Sequence, residues 1–237
     1  ADYTGVASSN DTSIASVTLL SGGSPAGLPA QLTVDQLATA RVLSSSTTSG
    51  ATGSSAVGTG SFTITNAAGE ATTITIDSTN NSYAGLASAI NAAGAGVTAR
   101  VVTDANGTRL VFKGETGAAN DFSISTTADD SGSVLAGLGW NGADSATMTS
   151  SSAPQNAKIT LDGVAYEYAS NTIDDAIEYL RIDLNKASAG ATVTLSMTQP
   201  TAGLSDLLQE FVDAYNTLMN ALNTATATGA DSSSAGV

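Results

Sequence analysis

The sequence predicts an α+β protein: two β-rich domains of antiparallel sheet, each with a short packed helix, one domain inserted in the other, and a C-terminal helix after both. Three observations carry this prediction. Short stretches of alternating apolar and polar residues recur along the chain, as half-buried strands require. Two other stretches place apolar residues at helical spacing between those strands. One block of such elements lies between two segments made almost wholly of Ser, Thr, Gly and Ala.

The first predicted strand is "SIASVTLL", with Ile14, Val17 and Leu19, broken by the Gly- and Pro-bearing "SGGSPAGLP" at 21–29. In "QLTVDQLATARVL", Leu32 and Val34 alternate as in a strand, while Leu37, Ala40 and Arg41 suit a helix; extended structure is expected. Residues 44–60 offer too little apolar surface to offset the entropy of ordering and read as a linker, as does "NGADSATMTSSSA" at 141–153. Between them, "SFTITN" and "TTITID" form a hairpin through Phe62, Ile64, Ile74 and Ile76, across "AAGE". A helix follows in "SYAGLASAINAA", with Tyr83, Leu86 and Ile90 on one face, Ser82 as its cap, and Asn91 and Gly94 to end it. Val97, Ala99 and Val101 then alternate as a strand, "DANG" turns, Leu110 and Phe112 face one way, and "DFSIS" adds Phe122 and Ile124.

After the second linker, Ile159 and Leu161, the turn "DG", and Val164, Tyr166 and Tyr168 give a strong hairpin signal. "SNTIDDAIEYL" places Ile173, Ala176, Ile177 and Leu180 at helical spacing, with Asn171 or Thr172 as cap and Asp174 and Asp175 near the positive helix end, so a short helix is expected. "ATVTLSMT" is a strand, and Pro200 and Gly203 punctuate the chain. In the last element Leu204, Leu208, Phe211, Tyr215, Leu218 and Leu222 recur at steps of four and three, with Leu207, Val212 and Met219 widening the stripe. This is a bundle or coiled-coil seam, and no second helix of matching length is predicted to cover it. The expected organisation is 1–10 as a disordered remnant, 11–50 with 153–200 as a discontinuous middle domain, 51–152 as the inserted outer domain, 201–223 as the helix, and 224–237 as a disordered tail.

Composition narrows the chemistry. The 237 residues include no His and no Cys, which removes imidazole bases, thiol nucleophiles, disulfides and the commonest zinc ligands. Acidic residues number 21 against 7 basic, a formal charge of −14, so a nucleic-acid backbone is repelled; no run reaches a membrane span. No secretory leader precedes the first strand, and without an initiating Met the chain is expected to be an excised fragment. Asp104 and Asn106 echo a calcium loop whose later ligands are missing, and read as a hairpin turn. "VGTGSFTI" lacks the strand, helix and spaced acid of a dinucleotide site. The pairs Asp129 with Asp130 and Asp174 with Asp175 suggest a glycosidase only weakly, because adjacent helical residues do not face each other. Lys113, Lys158 and Lys186 sit in polar surroundings unsuited to Ser–Lys catalysis. No catalytic, cofactor-binding or metal site is expected.

Three stretches carry a resemblance. "TITIDSTNNSYAGLASAINAAGAGVTARVVTDANGTRLVFKGETGAANDFSI" resembles a motif shared by flagellar hook-associated proteins. "NAKITLDGVAYEYASNTIDDAIEYLRIDL" is similar to the C-terminal half of the flagellar hook-associated protein 2 family, and "LQEFVDAYNTLMNAL" to the start of that family's returning bundle helix. Together they cover most of residues 30 to 222. The resemblance implies a non-enzymatic filament cap: a homo-oligomeric ring at the flagellum tip, outside the cell, beneath which exported flagellin assembles, standing on a helical leg of which this chain holds a truncated part. The residues expected to meet a partner helix are Leu204, Leu208, Phe211, Tyr215, Leu218 and Leu222. The rival readings are a surface adhesin module binding host glycans or mucin, and another hook-associated or flagellin-like subunit.

Overall fold

A strand satisfies none of its own backbone groups and needs a neighbour on each side to pair them, and nearly all of the described chain is organised by that demand. The computed structural model describes residues 5–198 and 201–231, with side-chain surroundings in the last helix given for 205–227. By contact the chain divides into two units, Ser9–Leu195, and the two ends Ala1–Ser8 with Ser196–Val237.

Within the larger unit the chain begins with β2 (Ala15–Leu19) and β3 (Ala30–Gln36), after β1 (Val6–Ser9). It then enters a block of two sheets and a helix. One sheet has the order β10-β4-β8-β7, from β4 (Ala40–Ser45), β7 (Val97–Asp104), β8 (Gly107–Thr116) and β10 (Met148–Ser152). The other has the order β6-β5-β9, from β5 (Gly60–Asn66), β6 (Ala71–Ile76) and β9 (Phe122–Ala128). The helix is α1 (Tyr83–Ala93): Ser82 Oγ accepts the Gly85 amide at 2.9 Å, and Gly94 closes it in the left-handed region at φ 63. Tyr83, Leu86, Ala87 and Ile90 turn inward onto Phe62, Ile64, Ile74, Leu110 and Phe112 in one continuous core. The Phe62 and Phe112 rings stack with centroids 5.6 Å apart, tying the two sheets of the block together.

The expected linkers are parts of this block. Val57 and Met148 are buried in its core, and β10 pairs with β4. Thr48 and Thr108 exchange both backbone hydrogen bonds, at 2.9 and 3.1 Å, while the Asn81 carboxamide oxygen accepts the amides of Val57 and Gly58. Counting apolar surface alone misreads such a segment, because its backbone is satisfied by strands and by small polar side chains. The pairing of β4 also places residues 40–45 in the inserted block, where the composition put them in the middle region. In "VGTGSFTI", Gly60 (φ 143) allows the close approach of β9: a Cβ there would lie 2.0 Å from the Thr127 carbonyl oxygen.

The remaining strands are β11 (Ala157–Leu161), β12 (Val164–Tyr168), β13 (Thr172–Ile177), β14 (Leu180–Leu184) and β15 (Val193–Thr198). They complete a sheet of order β1-β15-β3-β11-β12 and another of order β13-β14-β2. The expected helix over 170–180 is therefore a correction: this stretch is a hairpin. Ile173 lies opposite Ile182 and Ile177 opposite Leu180, with a bulge between, and Tyr179 turns at φ 63. The spacing of Ile173 and Ile177 fits a helix, but β14 is held along its whole length by β2, more than 160 positions away in sequence; no local window contains that pairing. Among the described residues these two sheets carry no packed helix. Asn171 caps nothing: its carboxamide accepts the Ala38 amide at 2.7 Å and donates to the Ala38 carbonyl at 2.9 Å.

Two further expectations fall at the ends. Residues 6–9, read as disordered, form β1, whose Val6 carbonyl accepts the Thr198 hydroxyl at 3.1 Å. The last helix, α2 (Thr201–Asp231), runs past 223 through most of the expected disordered tail and takes Gly203 into its first turn; 232–237 and Pro200 lie outside the described residues.

One ion pair braces the inserted block. Arg41 on β4 meets Asp121, just before β9, through two bonds of 3.0 and 2.9 Å, and its guanidinium lies 4.5 Å from the centroid of the Trp140 ring. The side-chain hydrogen bond from Arg41 holds the Asp121 carboxyl below its ordinary value. A carboxyl lowered by folding stabilises above its unfolded pKa, about 3.9, and that contribution is lost as pH falls through the folded value. Asp121→Asn is expected to lower the melting temperature at neutral pH. It should also shrink the further loss between about pH 4 and about pH 2, as read by thermal unfolding across that range.

Candidate functional site

The candidate site is the face of α2. A helix of 31 residues is roughly 46 Å long at 1.5 Å per residue. Its apolar residues fall on four adjacent positions of the seven-residue repeat: Leu208, Tyr215 and Leu222 at one, Phe211 and Leu218 at the next, Val212 and Met219 on one flank, and Leu207, Ala214 and Ala221 on the other. Between 206 and 223 the opposite positions are all polar: Asp206, Gln209, Glu210, Asp213, Asn216, Thr217, Asn220 and Asn223. Gln209 donates to Asp213 one turn on at 3.0 Å, and Thr217 back-bonds to the Asp213 carbonyl at 2.9 Å, so the polar face is locally satisfied.

Among the described residues nothing covers the apolar face. Phe211 is 70% exposed, Leu208 and Leu218 are 58% each, and Leu207, Val212, Tyr215, Met219 and Leu222 are exposed as well; the side-chain surroundings of Leu204 lie outside the described residues. Full burial of a Leu or Phe side chain stabilises by about 1.5–3 kcal/mol, and these residues, about half exposed, leave much of that unrealised. A stripe four positions wide is broader than a two-stranded coiled coil needs, so the face suits two neighbouring helices of a bundle.

The other sequence candidates have structural partners. Asp104 accepts the Asn106 amide at 2.8 Å and pairs with Arg109 at 3.0 Å, as a hairpin turn does; the Asn106 amide first, then Arg109, keep its carboxyl low. Asp129 accepts the Thr59 hydroxyl, and Asp130 closes a turn on Gly132. Asp174 is bound by Arg181 at 2.7 and 3.1 Å, which lowers its carboxyl. Asp174 and Asp175 are consecutive, both exposed, within the bulge of a strand. Lys113, Lys158 and Lys186 are exposed. Among the described residues no three acidic side chains gather as a metal site would require, and no helix is long and apolar enough to cross a membrane.

A block of two sheets and a helix, a second pair of antiparallel sheets, and a long amphipathic helix define a β-rich structural module. The comparisons place its family. Residues 154–236 match the flagellar hook-associated protein 2 C-terminus, and residues 61–116, from β5 to β8, match the flagellin hook IN motif. The B-type flagellar hook-associated protein 2 of Pseudomonas aeruginosa is 36% identical over 162 residues, 63% of this chain and 34% of that protein. The flagellar hook-associated protein 2 of Escherichia coli K12 is 34% identical over 170 residues, 68% of this chain and 36% of that protein. The crystal structure of the D2-D3 domains of the flagellar cap protein FliD from Escherichia coli superposes with a TM-score of 0.68 at 30% identity, covering 84% of this chain and 100% of that one. The D1-D2-D3 structure from the same organism gives 0.70 at 32% identity, covering 92% of this chain and 63% of that one. The chain belongs to the flagellar hook-associated protein 2 family, and spans about a third of the length of the curated relatives it matches.

The contrast between core and seam is measurable. Phe112→Ala, at a site with no exposure, should cost about 3–5 kcal/mol in urea unfolding of this chain. Phe211→Ala, at 70% exposure, should change stability by no more than about 0.5 kcal/mol.

Proposed function

We propose that this chain is the part of a flagellar filament cap that carries the outer sheets and one helix of the leg. The whole protein forms a homo-oligomeric ring at the distal end of the filament, outside the cell, and flagellin assembles beneath it. In this reading residues 40–152 are an outer domain inserted into the middle one, and the two together form the plate. The helix α2 belongs to the leg, where its seam, including Leu204, Leu208, Phe211, Tyr215, Leu218 and Leu222, packs against other helices of the leg or of neighbouring subunits. The activity is mechanical and steric, with no reaction catalysed. The observation that carries the reading is the wide uncovered apolar face of α2 in a chain whose sheets bury their own apolar residues. The acidic surface, at −14, suits an exposed and soluble assembly.

Replacing Phe211 and Leu218 together with Asp in the whole protein should stop filament growth, scored by electron microscopy of cells, while the purified variant keeps the parent's β-type circular dichroism. Filaments of normal length would refute the role given to the seam. An affinity label on the protein should appear at filament tips alone; label along the shaft or on the cell body would refute the cap.

A further inference from the structure

The edge of the middle sheet formed by β12 offers a second surface, and it does not depend on the cap reading. Asp162 and Gly163, at φ 49 and 80, make a two-residue turn that sets Leu161 opposite Val164, Ile159 opposite Tyr166 and Ala157 opposite Tyr168. In such a hairpin the residues flanking the turn exchange both backbone hydrogen bonds and every second pair follows suit. Val164, Tyr166 and Tyr168 therefore bond to β11, and Ala165 and Glu167 aim their N–H and C=O groups away from the sheet. Among the described residues nothing bonds to those four outward groups.

The four edges of the two sheets in the block formed by residues 40–152 are guarded. The Asn91 carboxamide takes both backbone groups of Ala99 on β7, at 2.7 and 2.9 Å. Asn80 covers the Thr75 carbonyl on β6, Trp140 exchanges both bonds with Ile124 on β9, and Asp144 holds the Ser150 amide on the bulged β10. The β12 edge has no such plug, and it contains no Pro or Lys, the usual deterrents to edge pairing. Its side chains invite contact. Val164, Tyr166 and Tyr168 share a face with the buried Leu161, Ile159 and Ala157, yet Val164 is 54% and Tyr166 37% exposed, and the two tyrosine rings stack at 6.3 Å. The charges beside them are one-sided. Asp162, Glu167 and Asp175 have no ion-pair partner among the described residues; the Asp162 carboxylate accepts the Gln31 amide at 2.8 Å and Glu167 the Asn156 side-chain amide at 3.0 Å. Arg181 is engaged with Asp174.

We propose that the outer edge of β12 binds an extended segment of a partner protein in which apolar and basic residues alternate. The segment would add a strand through the backbone groups of Ala165 and Glu167, set its apolar side chains against Val164, Tyr166 and Tyr168, and bring its basic ones to the unpaired carboxylates. A second copy of this chain fits less well, because it brings the same −14 charge.

The test uses this chain and two capped synthetic peptides, KVTVKVTVK and EVTVEVTVE, with binding read by fluorescence anisotropy. The lysine peptide should bind saturably and the glutamate peptide at least tenfold more weakly. Ala165→Pro, which removes one outward N–H, should abolish lysine-peptide binding, and Ala165→Ser, which keeps it, should bind as the parent does. Should Ala165→Pro fail to fold, hydrogen exchange on the parent decides: the lysine peptide should slow exchange at the Ala165 and Glu167 amides. The proposal is overturned by no binding to the parent, by equal affinity for the two peptides, by undiminished binding in a folded Ala165→Pro, or by unchanged exchange at those amides. It is also overturned by self-association of the parent that Ala165→Pro removes, which would make a second copy the occupant.

Discussion

The larger unit depends on the place where the chain leaves one pair of sheets and returns to it. Thr39 and Gln155 lie beside each other there and exchange both backbone hydrogen bonds, at 3.0 and 3.1 Å. Side chains thicken the joint: Gln155 reaches the Leu37 carbonyl, Gln36 the Asn156 carbonyl, Thr39 the Ala153 carbonyl, and the Asn171 carboxamide clasps Ala38. The Gly117 amide donates to the Thr39 carbonyl, and the Asn156 side chain accepts the Ala118 amide, so the loop after β8 is sewn to the same point. Two strands crossing together and bonded to one another resist bending far better than a single tether, which has only its own torsions to hold it.

Apart from Val164 and Tyr166 on β12, the large apolar side chains of that unit are mostly covered by its own layers. In the inserted block α1 lies on two sheets whose inward residues include Phe62 and Phe112 with almost no exposure, and among β2, β3, β11, β14 and β15 the alternate residues Ala15, Leu32, Val34, Ile159, Ile182 and Leu195 are equally buried. Hydrophobic burial is local there. The helix α2 reverses the pattern, with large apolar side chains exposed along its length and no basic residue anywhere in it. A lone helix draws little stability from its own backbone.

Much of this was legible in the residues. The "AAGE", "DANG" and "DG" turns, flanked by alternating strands, named three hairpins, and each stands where the turn chemistry put it. Ser82 and Gly94 bounded α1 because caps act on the backbone beside them. The steps of four and three from 204 to 222 marked α2 and its apolar face. The failures share one cause. Residues 44–60 and 141–153 looked unable to order because their stabilising partners lie elsewhere in the chain: Thr48 on the Thr108 backbone, Val57 on the Asn81 side chain, β10 on β4. Residues 170–180 looked helical because β14, their neighbour, is defined by β2 at the other end of the unit.

The sequence by itself determined what depends on near neighbours: turn types, helix caps, the period of each apolar stripe, and the absence of His and Cys that strips the chain of common catalytic groups. Only the tertiary structure decided which strands lie side by side, whether "TIDDAI" extends or coils, and that Asn91 and Asn171 serve as plugs for other segments' backbones. The reason is physical. Strand pairing and edge protection are contacts between residues far apart in the chain, and the energy that selects them is absent from any short window of it.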